Sequence, residues 1–334
     1  MATTLSPQTP SDMSLQDVRA LISDDLAAID EEIRRQLHSR VPLIDQIANY
    51  IITSGGKRLR PMIVVLAARA LGYEGSAHIT SAAIVEFIHT ATLLHDDVVD
   101  DSRLRRGRQT ANSVFGNAAS VLVGDFLYSR AFQMMVQIGD MAVMQVLADA
   151  TNVIAEGEVQ QLVNCHDPDT TEERYLEVIR NKTAKLFEAG AQIAAILAGE
   201  NASVQTSLAD YGLRLGSAFQ LRDDVLDYDA SPAEIGKNIG DDLAEGKPTL
   251  PLIQTIRNGS PEQVALVRRA IEDGGREHIE EVCNAVRASG ALDYTHDLAT
   301  AQADAALAAL VALPESDYKQ ALTALAAISV NRTY

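Results

Sequence analysis

The sequence predicts an all-α chain, a single large helical bundle around a central cavity. Three observations carry that expectation. Ala and Leu, both strong helix formers, are abundant, while Trp is absent and aromatic residues make up only 4% of the chain. Apolar positions recur at helical spacing over long stretches, and no strand alternation survives a pass along the chain. Two of those apolar stretches end alike, in paired aspartates with a third one helical turn on. At 334 residues the chain can bury a sizeable core. Nothing in it reads as a linker, or as a repeat beyond those two motifs.

Residues 1–13, rich in Ser, Thr and Pro, are expected to be a loose tail before one domain over 14–334. Ser14 reads as the N-cap of an amphipathic helix to about Leu37, and Pro42 opens a short helix ending near Thr53. Ser54-Gly55-Gly56-Lys57-Arg58-Leu59-Arg60-Pro61 breaks the pattern. Paired glycines let backbone N–H groups approach a ligand, although taken by itself this stretch reads more simply as a capped helix end with a solvated basic turn. Met62 to Leu71 resumes a buried helix. Ser76 caps a long one that ends in Leu93-Leu94-His95-Asp96-Asp97-Val98-Val99-Asp100-Asp101. A basic run, Arg103 to Arg108, follows, with a break at Gly107 to Ala111. Helices are expected over Ala118 to Gln137 and Met141 to Val163. Glu156, Glu158 and Gln161 interrupt the apolar pattern of the second, and both inward polar groups and a solvated stripe fit them. His166 to Thr170 is a turn, and Thr171 starts the helix that carries Asn181-Lys182-Thr183-Ala184-Lys185. Ser203 to Asp227 ends in the second motif, Gln220-Leu221-Arg222-Asp223-Asp224-Val225-Leu226-Asp227. Gly236 to Asp242 and Gly246-Lys247-Pro248 form a Gly- and Lys-bearing loop, suited to a lid over an anion. The remainder is Ala- and Leu-rich helix, with Asn258-Gly259 as a helix stop.

Positions i and i+4 share a helix face, so Asp96 projects with Asp100 and Asp97 with Asp101. Like charges at that spacing destabilise a bare helix unless a cation, a basic partner or solvent offsets them. The duplication argues against two merely solvated helix ends. Facing one another across a cavity, the motifs make an oxygen-rich site for a hard divalent cation. Mg²⁺ suits it, being held by a few carboxylates, waters and substrate phosphates. Ca²⁺ loops alternate acidic residues around a Gly turn, which neither stretch has. A phosphohydrolase centred on His95-Asp96, with His78 and His89 as further ligands, is a rival reading. The formal net charge of −18 excludes general nucleic-acid binding, so a local basic cluster points to a specific anionic ligand. Cys165 and Cys283 stand far apart, as in a reducing cytoplasm. No apolar stretch of membrane-spanning length and no signal-peptide pattern is read, so the expected location is cytoplasmic.

With these residues together the chain resembles the trans-type polyprenyl diphosphate synthases, and within them the bacterial octaprenyl diphosphate synthases of quinone biosynthesis. The resemblance covers nearly everything after the tail. It rests on Gly55-Gly56-Lys57-Arg58-Leu59-Arg60-Pro61, both aspartate motifs, Arg105-Arg106-Gly107, Gly157-Glu158 with Gln161, Lys182-Thr183, Phe219-Gln220 and Gly246-Lys247-Pro248-Thr249. It implies the isoprenoid synthase fold, a homodimer and Mg²⁺. It also implies a reaction in which an allylic diphosphate ionises, isopentenyl diphosphate attacks it, and a proton leaves. In that family pattern Asp96, Asp100, Asp223 and Asp227 hold metal, with Asp97 and Asp224 supporting. Arg105, Lys182, Thr183, Gln220, Lys237 and Lys247 take the allylic diphosphate. Lys57, Arg60, His89 and Arg106 take isopentenyl diphosphate. His89 and His95 read as core or phosphate-contact groups. The resemblance implies farnesyl diphosphate as starter and an all-trans product of eight units, or nine, for ubiquinone. Ala91 and Thr92, one turn below Asp96, are small where short-product relatives carry an aromatic. Met134 and Met135 are either a deeper stop or ordinary core fillers. A terpene cyclase would not normally carry two such motifs or the Lys57, Arg60 and Arg106 set. A non-catalytic partner subunit would have lost aspartates.

Overall fold

The computed structural model describes residues 13–52, 56–105, 107–229, 240–274 and 277–332. Helices dominate them. The expected tail, apart from Met13, lies outside this range, as do Gly55, Arg106 and Gly236 to Ile239.

The first expected helix is two, α1 (Leu15–Leu21) and α2 (Ser23–Leu37). Ser14 caps α1 as expected: its hydroxyl accepts from the Asp17 amide, and the Asp17 carboxylate accepts from the Ser14 amide at 2.9 Å. The break falls at Ile22, which is buried and non-helical at ψ 28. A bend there lets both helices put apolar faces on one core. After α3 (Pro42–Ile52), α4 (Leu59–Ala70) starts earlier than the hydrophobic pattern shows. Its N-cap, Arg58, is left-handed at φ 53, a costly geometry for a bulky residue. Ion pairs to Glu86 at 2.6 Å and Asp30 at 3.6 Å hold it there.

Helix α5 (Ala77–Val99) is the central core helix. Contrary to the sequence reading, it is long and apolar enough to cross a membrane by length and composition. Most of its apolar window is buried inside the protein, which is why it is apolar on several faces. The basic run after it is a short antiparallel hairpin, β1 (Leu104–Arg105) with β2 (Arg108–Gln109), where no strand was expected. Two residues a side are too few to show alternation, and Gly107 makes the turn at φ 73.

Next come α6 (Ala111–Phe115), α7 (Asn117–Ile138) and α8 (Met141–Asn164). Thr171 caps α9 (Glu172–Ile179), which runs through a π-helical turn, Arg180–Ala184, into α10 (Lys185–Leu197). Helix α11 (Ala202–Asp229) carries the second motif. The chain continues as α12 (Asp241–Ala244), α13 (Leu250–Asn258), α14 (Pro261–Asp273), α15 (Ile279–Ala288), α16 (Ala291–Ala309) and α17 (Asp317–Asn331). Helix α13 stops at Asn258, where the Asn-Gly pair placed the stop.

Helix α11 packs on α10 and α16, while α5 packs on α7. The α10–α11 contact is nearly backbone to backbone. A Cβ on Gly212 would stand 2.3 Å from the Phe187 carbonyl oxygen, and one on Gly216 would stand 2.6 Å from the Ala184 Cα. Ala184 closes the π turn, so these glycines fix how near α11 comes to it. Gly212→Ala should therefore cost about 1–3 kcal/mol through forced separation of the helices. Denaturant midpoints measure this; an unchanged midpoint would contradict the close approach.

Candidate active site

Both aspartate motifs open on one cavity of about 820 Å³. Asp96 and Asp100 line it from α5, and Asp223, Asp224 and Asp227 from α11. Only part of the helical pairing read from spacing holds. Helix α5 ends at Val99, and Asp101 is left-handed at φ 46, so it does not project with Asp97. Asp97 is buried and bonds Arg105 at 2.7 Å, while its carbonyl accepts from Asn112 at 2.9 Å. Burial raises its pKa, against the pull of Arg105. Asp97 thus anchors the hairpin, while the Arg105 side chain also lines the cavity.

Two lysines bring cations to the first wall. The Lys182 ammonium, on the π turn, lies 2.5 Å from Glu158, 2.6 Å from Gln161 and 3.5 Å from Asp96. Lys247 lies 2.8 Å from Asp100 and 2.5 Å from Glu245. Burial lowers both lysine pKa values, but the carboxylates around them raise them further, so both stay charged. The open question on α8 is resolved. Glu158 and Gln161 point inward to the cavity, whereas Glu156 is exposed and accepts a local bond from Asn152 at 2.8 Å. Burial pushes the Glu158 carboxyl up to about 7 and Asp96 adds to the rise, against the pull of Lys182.

The second wall is a hydrogen-bonded chain. The Thr183 hydroxyl donates to Gln220 at 3.0 Å, the Gln220 amide donates to Asp224 at 2.8 Å, and the Tyr175 hydroxyl donates to the other Asp224 oxygen. Asp224 is buried, which raises its pKa well above the ordinary value, and Asp242 adds to that. Asp223 pairs with Arg332 at 2.8 Å. Asp227 accepts the amides of Asp241 and Asp242 at 3.2 and 3.3 Å, tying down the start of α12. On the cationic side, Lys57, Arg60 and His89 line the same cavity, with Arg60 3.3 Å from His89 and stacked 4.4 Å from the Phe187 ring centre. Arg106 and Lys237 lie outside the described residues.

The histidines separate, which disfavours a His-ligated phosphohydrolase centre. His78 pairs with Asp25 at 3.2 Å, His89 with Arg60, and His95 with Asp125 at 3.3 Å. Sequence reasoning missed Tyr175, Glu245 and Arg332 altogether. Only Glu245, two residues before Lys247, left a signal, and an acidic residue in a loop is an ambiguous one.

A second, more apolar groove runs between α5, α7 and α8 and shares Thr92, Asp96, Glu158 and Lys182 with the first cavity. Tyr128, Ile154, Ala155, Val159 and Leu162 line it. Thr92 faces it, whereas Ala91, Met134 and Met135 are fully buried in the main core.

A polyprenyl synthetase family model matches residues 41–288. The chain belongs to that family. It is a prenyltransferase of the trans-polyprenyl synthase type. It is 56% identical over 321 residues to octaprenyl diphosphate synthase of Escherichia coli, covering 96% of this chain and 99% of that one. It is 48% identical over 318 residues to the all-trans-nonaprenyl-diphosphate synthase (geranyl-diphosphate specific) of Rhodobacter capsulatus, covering 95% and 98%. Its structure superposes on a polyprenyl synthase from Caulobacter crescentus, complexed with calcium and isoprenyl diphosphate, at a TM-score of 0.93 with 44% identity, covering 98% and 100%.

The raised Glu158 carboxyl makes the stability of this polyprenyl synthase depend on pH. Between its ordinary value of 4.5 and about 7, the folded chain holds a proton that the unfolded chain has released. The stability this group contributes is complete below the lower value and is lost as pH rises through the upper one. Without metal, the unfolding free energy of the wild type should therefore fall relative to Glu158→Gln between about pH 5 and pH 8. Urea titrations across that range test it, and a constant difference would refute it.

Proposed function

We propose that this polyprenyl synthase adds isopentenyl diphosphate units successively to an allylic diphosphate, starting from farnesyl diphosphate. The product is all-trans octaprenyl diphosphate, with the nine-unit chain as the neighbouring outcome, serving the ubiquinone side chain. The observation that carries the reading is the junction itself. A cavity walled by carboxylates and cations continues, at Thr92 and Lys182, into a more apolar groove. The polar part suits two diphosphates and the apolar part suits a growing polyisoprene. The 56% identity to an octaprenyl synthase favours eight units over nine.

Mg²⁺ fits the donors. They are carboxylate oxygens on two walls, and among the described residues they do not close into a protein-only cage. That leaves coordination positions for water and phosphate, as Mg²⁺ requires. Lys182 and Lys247 already place positive charge against Asp96 and Asp100. Asp96, Asp100, Asp223 and Asp227 would hold the metal. When bound it neutralises the diphosphate leaving group as a Lewis acid. Arg105, Lys182, Thr183, Gln220, Lys237 and Lys247 grip the allylic diphosphate. Lys57, Arg60, His89 and Arg106 grip isopentenyl diphosphate and aim its double bond at the allylic carbon. Arg pairs with phosphate in a planar fork and Lys as a point charge, so each grip mixes geometry with charge. Asp97 and Asp224 support from behind, and the departing diphosphate takes the proton. Residues 14–334 act as one catalytic unit, in the cytoplasm, as a homodimer. Leu122 on α7 and Val159, Leu162 and Val163 on α8 are large, apolar and exposed, the kind of patch that marks a protein contact.

Farnesyl diphosphate, isopentenyl diphosphate and Mg²⁺ should yield mainly the eight-unit product on sizing. A product that stops at three or four units, or a cyclised hydrocarbon, would overturn the reading. Asp96→Ala and Asp223→Ala should each lose roughly 100-fold or more in turnover, the order lost with one group that stabilises developing charge. Circular dichroism should stay helical in both. Near-normal turnover in either would remove that wall from the metal site. Thr92→Phe should shorten the product, because one helical turn, about 5.4 Å, is on the order of one isoprene unit. Unchanged lengths would show that the chain does not pass this wall.

A further inference from the structure

Glu158 and Gln161 are three residues apart on α8 and so share one face. That face meets the π turn. The Lys182 ammonium has three donors. Glu158 at 2.5 Å and Gln161 at 2.6 Å accept from it, and Asp96 pairs with its charge at 3.5 Å. The backbone of Lys182 is engaged by the same helix. A Cβ on Gly157 would stand 2.7 Å from the Lys182 amide nitrogen and 2.8 Å from the Asn181 Cβ. Helix α8 therefore grips Lys182 at both ends, the main chain at Gly157 and the ammonium at Glu158 and Gln161. A free lysine side chain samples many rotamers, and the grip removes that freedom before any ligand arrives. Glu158, Gln161 and Lys182 all line both the polar cavity and the apolar groove.

We propose that Glu158 and Gln161 are positioning residues that hold the Lys182 ammonium ready at the junction for the allylic diphosphate of every round. This rests on the assignment of Lys182 to the allylic diphosphate. The Glu158 carboxyl is kept at this site against an unfavourable environment, since burial pushes it up to about 7. Perturbed carboxyls of that kind concentrate where chemistry needs them. Glu156, two residues away, is exposed and has no part in the grip.

The test is a double-mutant cycle of Glu158→Gln and Lys182→Ala, with KM measured separately for farnesyl diphosphate and isopentenyl diphosphate at saturating Mg²⁺. Glu158→Gln keeps shape and an acceptor oxygen, so its melting curve should stay close to wild type. It should raise the KM for farnesyl diphosphate about 5- to 10-fold, the size of one ordinary hydrogen bond. The KM for isopentenyl diphosphate should stay within about twofold. Glu158→Ala and Gln161→Ala should act in the same direction. On the Lys182→Ala background, Glu158→Gln should add less than about twofold, because coupled residues are not additive. Equal rises in both KM values, the same penalty with and without Lys182, or no change in either Glu158 variant would each overturn the proposal. If Lys182→Ala alone leaves the farnesyl diphosphate KM unchanged, the allylic assignment fails, while the non-additivity still reports on the grip.

Discussion

Crowded carboxylates are the constraint on which the rest of the structure depends. The cavity collects Asp96, Asp100, Asp223, Asp224, Asp227, Glu158 and Glu245, far more negative charge than a partly desolvated space tolerates unaided. Each is met in a different way. Lys182 and Lys247 sit against the first wall, and Arg332 reaches from the end of α17 to Asp223. Backbone amides of α12 cap Asp227, and Tyr175 with Gln220 supplies donors to Asp224. Arg332 also stacks 3.7 Å from the Phe219 ring centre and donates to the Phe219 carbonyl, so the end of α17 is fastened beside the second motif. A ligand that brings its own cations and phosphates exchanges partners with these groups and need not open the fold.

That exchange requires the cations to be placed, and placement is done by backbone geometry. The π turn at Arg180–Ala184 inserts an extra residue between α9 and α10, a device that recurs at functional sites. It presents Lys182 toward α8 and Thr183 toward α11. Gly157 and Gly216 let those two helices close on the turn from opposite sides, each at a distance a side chain would forbid. The same glycines that carry the packing therefore set the reach of the site.

Much of this was legible in the sequence, because the aspartate motifs and long apolar helices obey short-range rules. Spacing alone put Asp96 and Asp100 on one face, and Ser14, Thr171 and Asn258 marked helix ends that the structure has. What escaped depends on contacts between distant segments. Helical periodicity placed Glu156 and Glu158 in the same ambiguous stripe, although 200° of helix rotation separates two residues two apart, roughly opposite faces. Only the approach of the π turn tells which one is inside. Ala91 and Thr92 look equivalent as small residues below Asp96, yet one faces packed core and the other faces the groove. Arg332 and Tyr175 lie 109 and 49 residues from their aspartate partners, and no local pattern announces such pairs. The kink at Ile22 and the hairpin around Gly107 are too short to register as changes of period.

The polar and apolar halves of the site face opposite demands. The same diphosphate group must return to the same grip in each round, while the tail behind it is longer every time. The grip should therefore be rigid and the groove should yield. The ionic side is cross-braced by the π turn, α8 and α11, with its lysines buried among carboxylates. The groove is bordered by small residues, Thr92, Ala148 and Ala155, and by the aliphatic Val159 and Leu162. Small walls resist a lengthening chain little, since few bulky side chains must be displaced to admit another unit. Charge at one end fixes where each bond is made, and the weakness of the packing at the other lets the product keep growing.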